Sequence, residues 1–329
     1  MQTAAQPKPA PIPARPRLTL KVSSGKLTHA KWIHVYGPEG VGKSTLGAGA
    51  PSPLFIDVEQ GTANIDTNRF QFDEGRTLPL DWLEFLDAVR LIEKEAHSYR
   101  TLVIDTLDAV EALIWQHICK RDGHETIIDY GFAKGENVVA LAEWRQLVAI
   151  LERIRARGLN VITLSHSMVK HFDDPESDGW DRYILKLHEK AGGLVKERAD
   201  AVLFARFEQV LQKKGKGDGK KLKAIVTDRR MLCTRKTGAY DAKNRDDLPH
   251  ELPLDWAELW GALQAHRPAE PAALVETIKA NLERLIGVKT TDGRDAKEVA
   301  TVALADAGGD AVKLSKLNTW VNSKIGEEE

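Results

Sequence analysis

The residues Gly37-Pro38-Glu39-Gly40-Val41-Gly42-Lys43-Ser44, followed by Thr45, satisfy every fixed position of G-x-x-x-x-G-K-[ST]. Glycines at 37, 40 and 42 let a backbone curl until its N–H groups converge on phosphate oxygens. A helix starting near Lys43 turns the positive end of its dipole toward the same anion. In such a loop the Lys43 ammonium reaches the β- and γ-phosphates of ATP, and the Ser44 hydroxyl ligates Mg²⁺.

Three further groups have the types and spacing to complete that chemistry. The apolar run Thr101-Leu102-Val103-Ile104 ends in Asp105, about sixty residues after the loop, where an acid holds Mg²⁺ directly or through water. The run Leu54-Phe55-Ile56 is followed by Asp57-Val58-Glu59. Glu59 reads either as the general base that polarises the attacking water or as a solvated acid at the turn before Gly61. Val161-Ile162-Thr163-Leu164 closes on Ser165-His166, a polar pair placed to sense the γ-phosphate or to make a local hydrogen bond.

Positioning these groups takes an alternation of strands and helices, and the pattern supplies one. Trp32–Tyr36, Leu54–Val58, Thr101–Asp105 and Asn160–Leu164 read as buried strands. In open α/β sheets ligands bind beyond the carboxyl ends of such strands, where all the candidate groups fall. Asp81–His97, with Asp81 as N-cap, Leu107–Lys120 and Val138–Arg157, ended by Gly158, carry helical periodicity. His171–Arg182 reads as a polar, mostly acidic loop, followed by strand-like Tyr183–Leu187, a helix over Glu189–Arg198 and a strand over Ala201–Phe207.

Residues 1–16, rich in Pro and Ala, predict a disordered tail, and Leu18–Val22 a short edge strand. Residues 17–264 form the α/β core, closed by a helix over Asp255–Gln264. Residues 265–273 are a linker, and 274–329 a small helical module in which Leu274, Ile278, Leu282, Leu285 and Ile286 share a face. The basic, glycine-rich run Gln212–Lys223 reads as a hairpin tip, either a phosphate-attracting patch or a solvated loop.

The net charge of −1 advertises no global field for nucleic acid, so any such contact is a local patch. Two cysteines, Cys119 and Cys233, lie outside any metal-ligand spacing and point to a reduced, cytoplasmic setting. No apolar run reaches the ~20 residues of a membrane span, and the N-terminus lacks the apolar segment of a signal peptide.

In order, these parts resemble the RecA-like branch of phosphate-loop ATPases. Residues 31–264 are similar to phage-encoded RecA-like recombination ATPases of the single-strand-annealing group. The resemblance rests on GPEGVGKST, FIDVEQG, TLVIDT, YILKL with ADAVLFAR, and AYDAKNRDDLP. Within the last, Lys243-Asn244-Arg245 looks like the K-N-R of RadA and the K-x-R of DnaB-type helicases. The resemblance implies a RecA-like α/β core with a mainly parallel central sheet flanked by helices. It implies ATP bound between subunits of a homo-oligomeric ring or filament, Glu59 as catalytic glutamate, and Lys243 and Arg245 acting on the neighbour's nucleotide. It implies single-stranded DNA as polymer partner, a single-strand-binding protein as helper, and the cytoplasm of a bacterial host.

By the same analogy, Arg121–Asn137 and His166–Arg182 are the DNA loops. The second is acidic and repels phosphate, which shifts the expected DNA contact to Lys213, Lys214, Lys216, Lys220, Lys221, Arg229 and Arg230. A nucleotide or small-molecule kinase and a nucleotide-gated structural or packaging ATPase are the competing readings. The first lacks a use for Glu59 and the distal cations, and the second is disfavoured by an intact Glu59.

Overall fold

A computed structural model describes residues 20, 22, 29–174, 177–214, 221–265, 271–308 and 311–326. The chain divides into two compact units, Thr28–Arg267 and one containing Pro268–Glu329.

The larger unit is built on β1 (Trp32–Gly37), buried along its whole length. After it come α1 (Lys43–Ala48), β2 (Pro53–Asp57), β3 (Asn68–Arg69), α2 (Trp82–Lys94), β4 (Thr101–Asp105) and α3 (Leu107–Asp122). The chain continues through α4 (Ala140–Ala156), β5 (Asn160–Asp174), β6 (Ser177–Leu185), α5 (Glu189–Arg198), β7 (Ala201–Lys214) and β8 (Lys221–Cys233). It closes with β9 (Lys243–Asn244), β10 (Glu251–Pro253) and α6 (Trp256–Ala265).

The sheet order is β10-β8-β7-β1-β5-β4-β2-β3. Neighbours from β7 to β3 pair in parallel, and β8, β10, β9 and β6 add antiparallel pairs, so the sheet is mixed. Parallel strands buried on both faces read as continuous apolar runs, which is why they were legible. Alternate residues feed opposite layers. Trp32, Tyr36, Leu54, Ile56, Leu102 and Ile104 pack under α2 to α5. Ile33, Val35, Phe55, Val103, Ile162 and Leu164 pack with Leu46 of α1 and with Trp256, Leu259 and Leu263 of α6.

Register then brings the strand ends together. Gly37 lies opposite His166, Asp57 opposite Asp105, and Asp105 opposite Leu164. Gly37 also meets a steric demand of the sheet, since a Cβ there would lie 2.3 Å from the Ala205 carbonyl oxygen on β7.

The predicted loop over His171–Arg182 is instead a hairpin. Strand β5 runs on past Ser165 to Asp174 and pairs antiparallel with β6. Acidic composition suggested a loop, but cross-strand packing decides the conformation. Phe172 packs against Trp180 in a tilted arrangement, 5.2 Å between ring centroids, and Arg182 lies over the Phe172 ring. Residues 121–137 are also partly ordered, by a 3₁₀ turn at Ile127–Tyr130 and a π-helical turn at Gly135–Val139. Strands β3, β9 and β10, of two or three residues each, have no pattern long enough to predict. Leu20 and Val22 carry no strand. The rest of the expected edge strand and the whole 1–16 tail lie outside the described residues.

In the second unit, α7 (Pro271–Leu282), α8 (Ala296–Ala307) and α9 (Ala311–Gly326) bury Leu274, Ile278, Leu285, Ala300, Leu314 and Val321 together. Ile286 departs from the expected face and is exposed. The helix gives way to a 3₁₀ turn at Glu283–Leu285, and Gly287 then takes a left-handed φ of 86°.

Candidate phosphate-loop site

Beyond the carboxyl end of β1 the loop turns through Gly40 and Gly42, whose φ values of 70° and 105° are left-handed and suit glycine. Pro38 is half-buried, Glu39, Gly40 and Thr45 are exposed, and Val41 is buried in the core. Lys43 is buried and folds back across the loop, donating to the carbonyls of Gly37 (3.1 Å) and Pro38 (3.0 Å). Burial lowers the affinity of its amine for the proton, against the pull of Asp105, Asp108, Glu59 and Glu39. Because α1 has six residues, the loop amides and the Lys43 charge, rather than a long helix dipole, carry the attraction for an anion.

The Ser44 hydroxyl donates to Asp105 Oδ2 at 2.5 Å. Burial pushes the Asp105 carboxyl up to about 6; Asp57 and Glu59 act in the same direction, while Ser44 and Lys43 oppose it. The pair offers the hydroxyl and carboxylate oxygens that Mg²⁺ takes. A buried acid facing other acids also stands to gain from a nearby dication. By chemistry and position these residues fit the metal.

The two acids after β2 have separate tasks. Asp57 is buried and accepts from the amides of Glu59, Gly61 and Thr62 and from the Thr62 hydroxyl, which folds the turn. Glu59 projects from that turn, with its carboxylate one-third exposed, and accepts a hydrogen bond from Thr106 Oγ1 at 2.8 Å.

Ser165 and His166 point to opposite sides of β5, as successive strand residues do. His166 enters the cleft, with Nδ1 3.9 Å from Glu59 Oε1. Ser165 is fully buried, 3.0 Å from His34 Nε2, in an interior chain that continues through Thr163 Oγ1 to the Trp32 indole. Burial lowers the His34 imidazole to about 3, so it stays neutral.

Asp108, in the first turn of α3, escaped the sequence reading. Its carboxylate accepts from both the ring Nδ1 (2.6 Å) and the amide (2.9 Å) of His166. The available signal was the D-x-x-D spacing of Asp105 and Asp108. Glu59, Asp108 and His166 place one ligand-type atom each within 4.8 Å of one another.

Hydrogen bonding to Asp108 raises the His166 pKa above the ordinary imidazole range, with burial opposing. Burial alone would raise the Asp108 carboxyl, but the bonds from His166 outweigh it and hold it below the usual range. A raised imidazole contributes stability that is complete below its unfolded value, about 6.5, and is lost as pH rises through the folded value. A depressed carboxyl contributes above about 3.9 and is lost on acidification. The pair therefore stabilises most between those limits. Asp108→Asn is expected to cost about 1.5–3 kcal/mol at mildly acidic pH and less at alkaline pH, read by urea unfolding at both. A cost that grows with pH would contradict this assignment.

Lys243 and Arg245 lie away from the phosphate loop, beside the amino end of β7, where Lys243 and Asn244 pair with Val202 and Ala201. The Lys243 ammonium donates at the carboxyl end of α5, to the carbonyls of Lys196 (2.6 Å) and Glu197 (2.9 Å) in the helix and of Ala199 (2.8 Å), its C-cap. Arg245 is half exposed, donates to the Glu197 carbonyl (3.1 Å) and lies 3.8 Å from Asp200. A cation at a helix C-terminus contributes up to about 2 kcal/mol. Lys243→Ala is expected to lower the melting temperature by several degrees, and Arg245→Ala by less. Equal melting of Lys243→Ala and wild type would refute the capping role.

Among the expected DNA contacts, Lys213 and Lys214 pair with Leu222 and Lys221 in the β7–β8 ribbon. Lys216 and Lys220 lie outside the described residues. Arg229 is exposed, 3.8 Å from Glu208. Arg230 is not on the ribbon's outer end but beside Gly42 of the phosphate loop.

Cys119 and Cys233 are free and buried. No helix among the described residues is long and apolar enough to cross a membrane.

The structure of the RadB recombinase is similar at a TM-score of 0.33 and 16% identity, over 64% of this chain and 82% of that one. No curated protein sequence matches the chain. The family model described as AAA domain matches residues 29–246, a span holding the loop, Glu59, Asp105, Asp108 and His166. With more than half of its length so matched and an intact phosphate loop on an α/β sheet, the chain belongs to the AAA domain family.

Proposed function

We propose that this protein binds Mg²⁺-ATP and hydrolyses it as a RecA-like motor on single-stranded DNA, in recombination or strand annealing. The observation that carries the reading is the convergence of Lys43, Ser44, Asp105 and Glu59 at adjacent strand ends.

The loop amides and Lys43 bind the phosphate chain and stabilise the charge that develops on it. Ser44 and Asp105 would hold Mg²⁺, which would supply neutralisation of the phosphate charge. Glu59, fixed by Thr106, orients a water in line with the γ-phosphate and accepts its proton. His166, held by Asp108, lies beside that carboxylate and responds to the γ-phosphate.

The basic ribbon of Lys213, Lys214 and Lys221 supports a polyanionic partner, with a single-strand-binding protein as accessory. ATP lies between subunits of a ring or filament. Arg245, more exposed and less committed than Lys243, is the freer of the two to reach a neighbour's γ-phosphate.

The test is steady-state ATP hydrolysis with and without single-stranded DNA, with Lys43→Ala as blank. DNA-stimulated turnover that disappears in the variant is the expected result. Turnover indifferent to DNA would remove the DNA part of the reading. Turnover only with a small-molecule acceptor, by a monomer, would replace it with a kinase.

A further inference from the structure

Arg230 belongs to β8, and its side chain crosses to the phosphate loop. A Cβ built on Gly42 would meet Arg230 Nη1 at 2.9 Å and Leu254 Cδ2 at 3.3 Å. The arginine is held there from two sides. Its carbonyl accepts from Leu254 N (2.9 Å), and its guanidinium lies over the Phe207 ring, 5.9 Å from the centroid.

The neighbouring arginines of this sheet have acids. Arg206 pairs with Glu251 at 2.6 Å, and Arg229 lies 3.8 Å from Glu208. Among the described residues no carboxylate pairs with Arg230, although it is exposed. An exposed guanidinium lying over an aromatic face, with its fork of N–H donors unclaimed by any such acid, is suited to receive phosphate oxygens. The guanidinium also abuts Gly42 of the phosphate loop, whose amides are suited to the same kind of anion.

We propose that Arg230 binds the phosphate chain of the nucleotide held by Gly37–Ser44 of its own subunit, rather than DNA. The assignment rests on the nucleotide-binding reading above. It gives Gly42 a second reason to be glycine, since any side chain there competes with the guanidinium for space as well as straining the left-handed backbone.

The experiment compares wild type, Arg230→Ala, Arg230→Lys and Lys43→Ala in equilibrium titrations with fluorescent ATP and ADP analogues, with the four common ribonucleoside triphosphates as competitors. Oligothymidine binding without nucleotide and thermal unfolding are measured alongside. Arg230→Ala is expected to weaken ATP and ADP binding about ten- to hundredfold, by a similar factor for every base. Arg230→Lys should recover part of the loss, and oligothymidine affinity and unfolding should stay at wild-type values. Wild-type nucleotide affinity in Arg230→Ala would overturn the proposal while leaving the phosphate-loop reading intact. So would a loss confined to oligothymidine, which returns Arg230 to a DNA surface, or a loss confined to adenine nucleotides, which makes it a base contact. If wild type binds nucleotide no better than Lys43→Ala, the underlying reading fails and takes this assignment with it.

Discussion

Lys43→Ala is expected to leave ATP turnover at least ~10²–10³-fold below wild type, the loss that follows removal of one preorganised donor to developing charge. The reason is in the geometry. Lys43 is 6% exposed, its stem is fixed by packing, and its ammonium already points back across the loop to the Gly37 and Pro38 carbonyls. Little reorganisation separates that arrangement from one in which phosphate oxygens replace the carbonyls.

Arginine is not expected to rescue, because a planar fork does not fit the space of a compact ammonium. The loop should survive the change. Gly40 and Gly42 keep their turns, and Val41 still anchors the loop in the core. Phosphate release, nucleotide affinity and urea unfolding together separate lost chemistry from lost structure. A folded Lys43→Ala protein hydrolysing ATP within about tenfold of wild type would sink the loop's assigned role.

Glu59→Gln carries the second large effect, a fall in turnover of about 10²–10⁴-fold with nucleotide affinity kept within a few-fold. The amide retains an oxygen to accept from Thr106, and Asp57, not Glu59, holds the turn. What would disappear is the negative charge and the basic oxygen that the proposed mechanism assigns to the attacking water. Raised nucleotide occupancy with little turnover would be the expected signature. Unchanged turnover would make Glu59 the solvated acid of a turn and would favour a protein that binds nucleotide without consuming it.

These groups were legible to the degree that their determinants are local. The loop motif, the apolar strand ending in Asp105, the Asp81 cap and the span of α5 are each written within a few consecutive residues. Asp108 was not, because its meaning lies in His166, 58 positions away, and only register brings the two together. The 171–182 hairpin was misread because composition outweighed alternation when the cross-strand partner was unknown. Lys243 and Arg230 show the same limit from the other direction. Basic residues in a basic neighbourhood look alike until one is seen capping a helix and the other lying against Gly42.

The crowding at Gly37 bears on how variants of the motif are interpreted. An alanine there would put its methyl 2.3 Å from the Ala205 carbonyl oxygen and force β7 away from β1. Strand β8 hangs on β7 and carries Arg230, so the wedge would shift the arginine beside Gly42 from behind while leaving the loop's own turns in place. A Gly37 variant with poor ATP binding thus reports sheet spacing, whereas a Lys43 variant reports contact. The first residue of the motif acts as a spacer, and treating the two as equivalent knockouts would confuse a damaged frame with an empty hand.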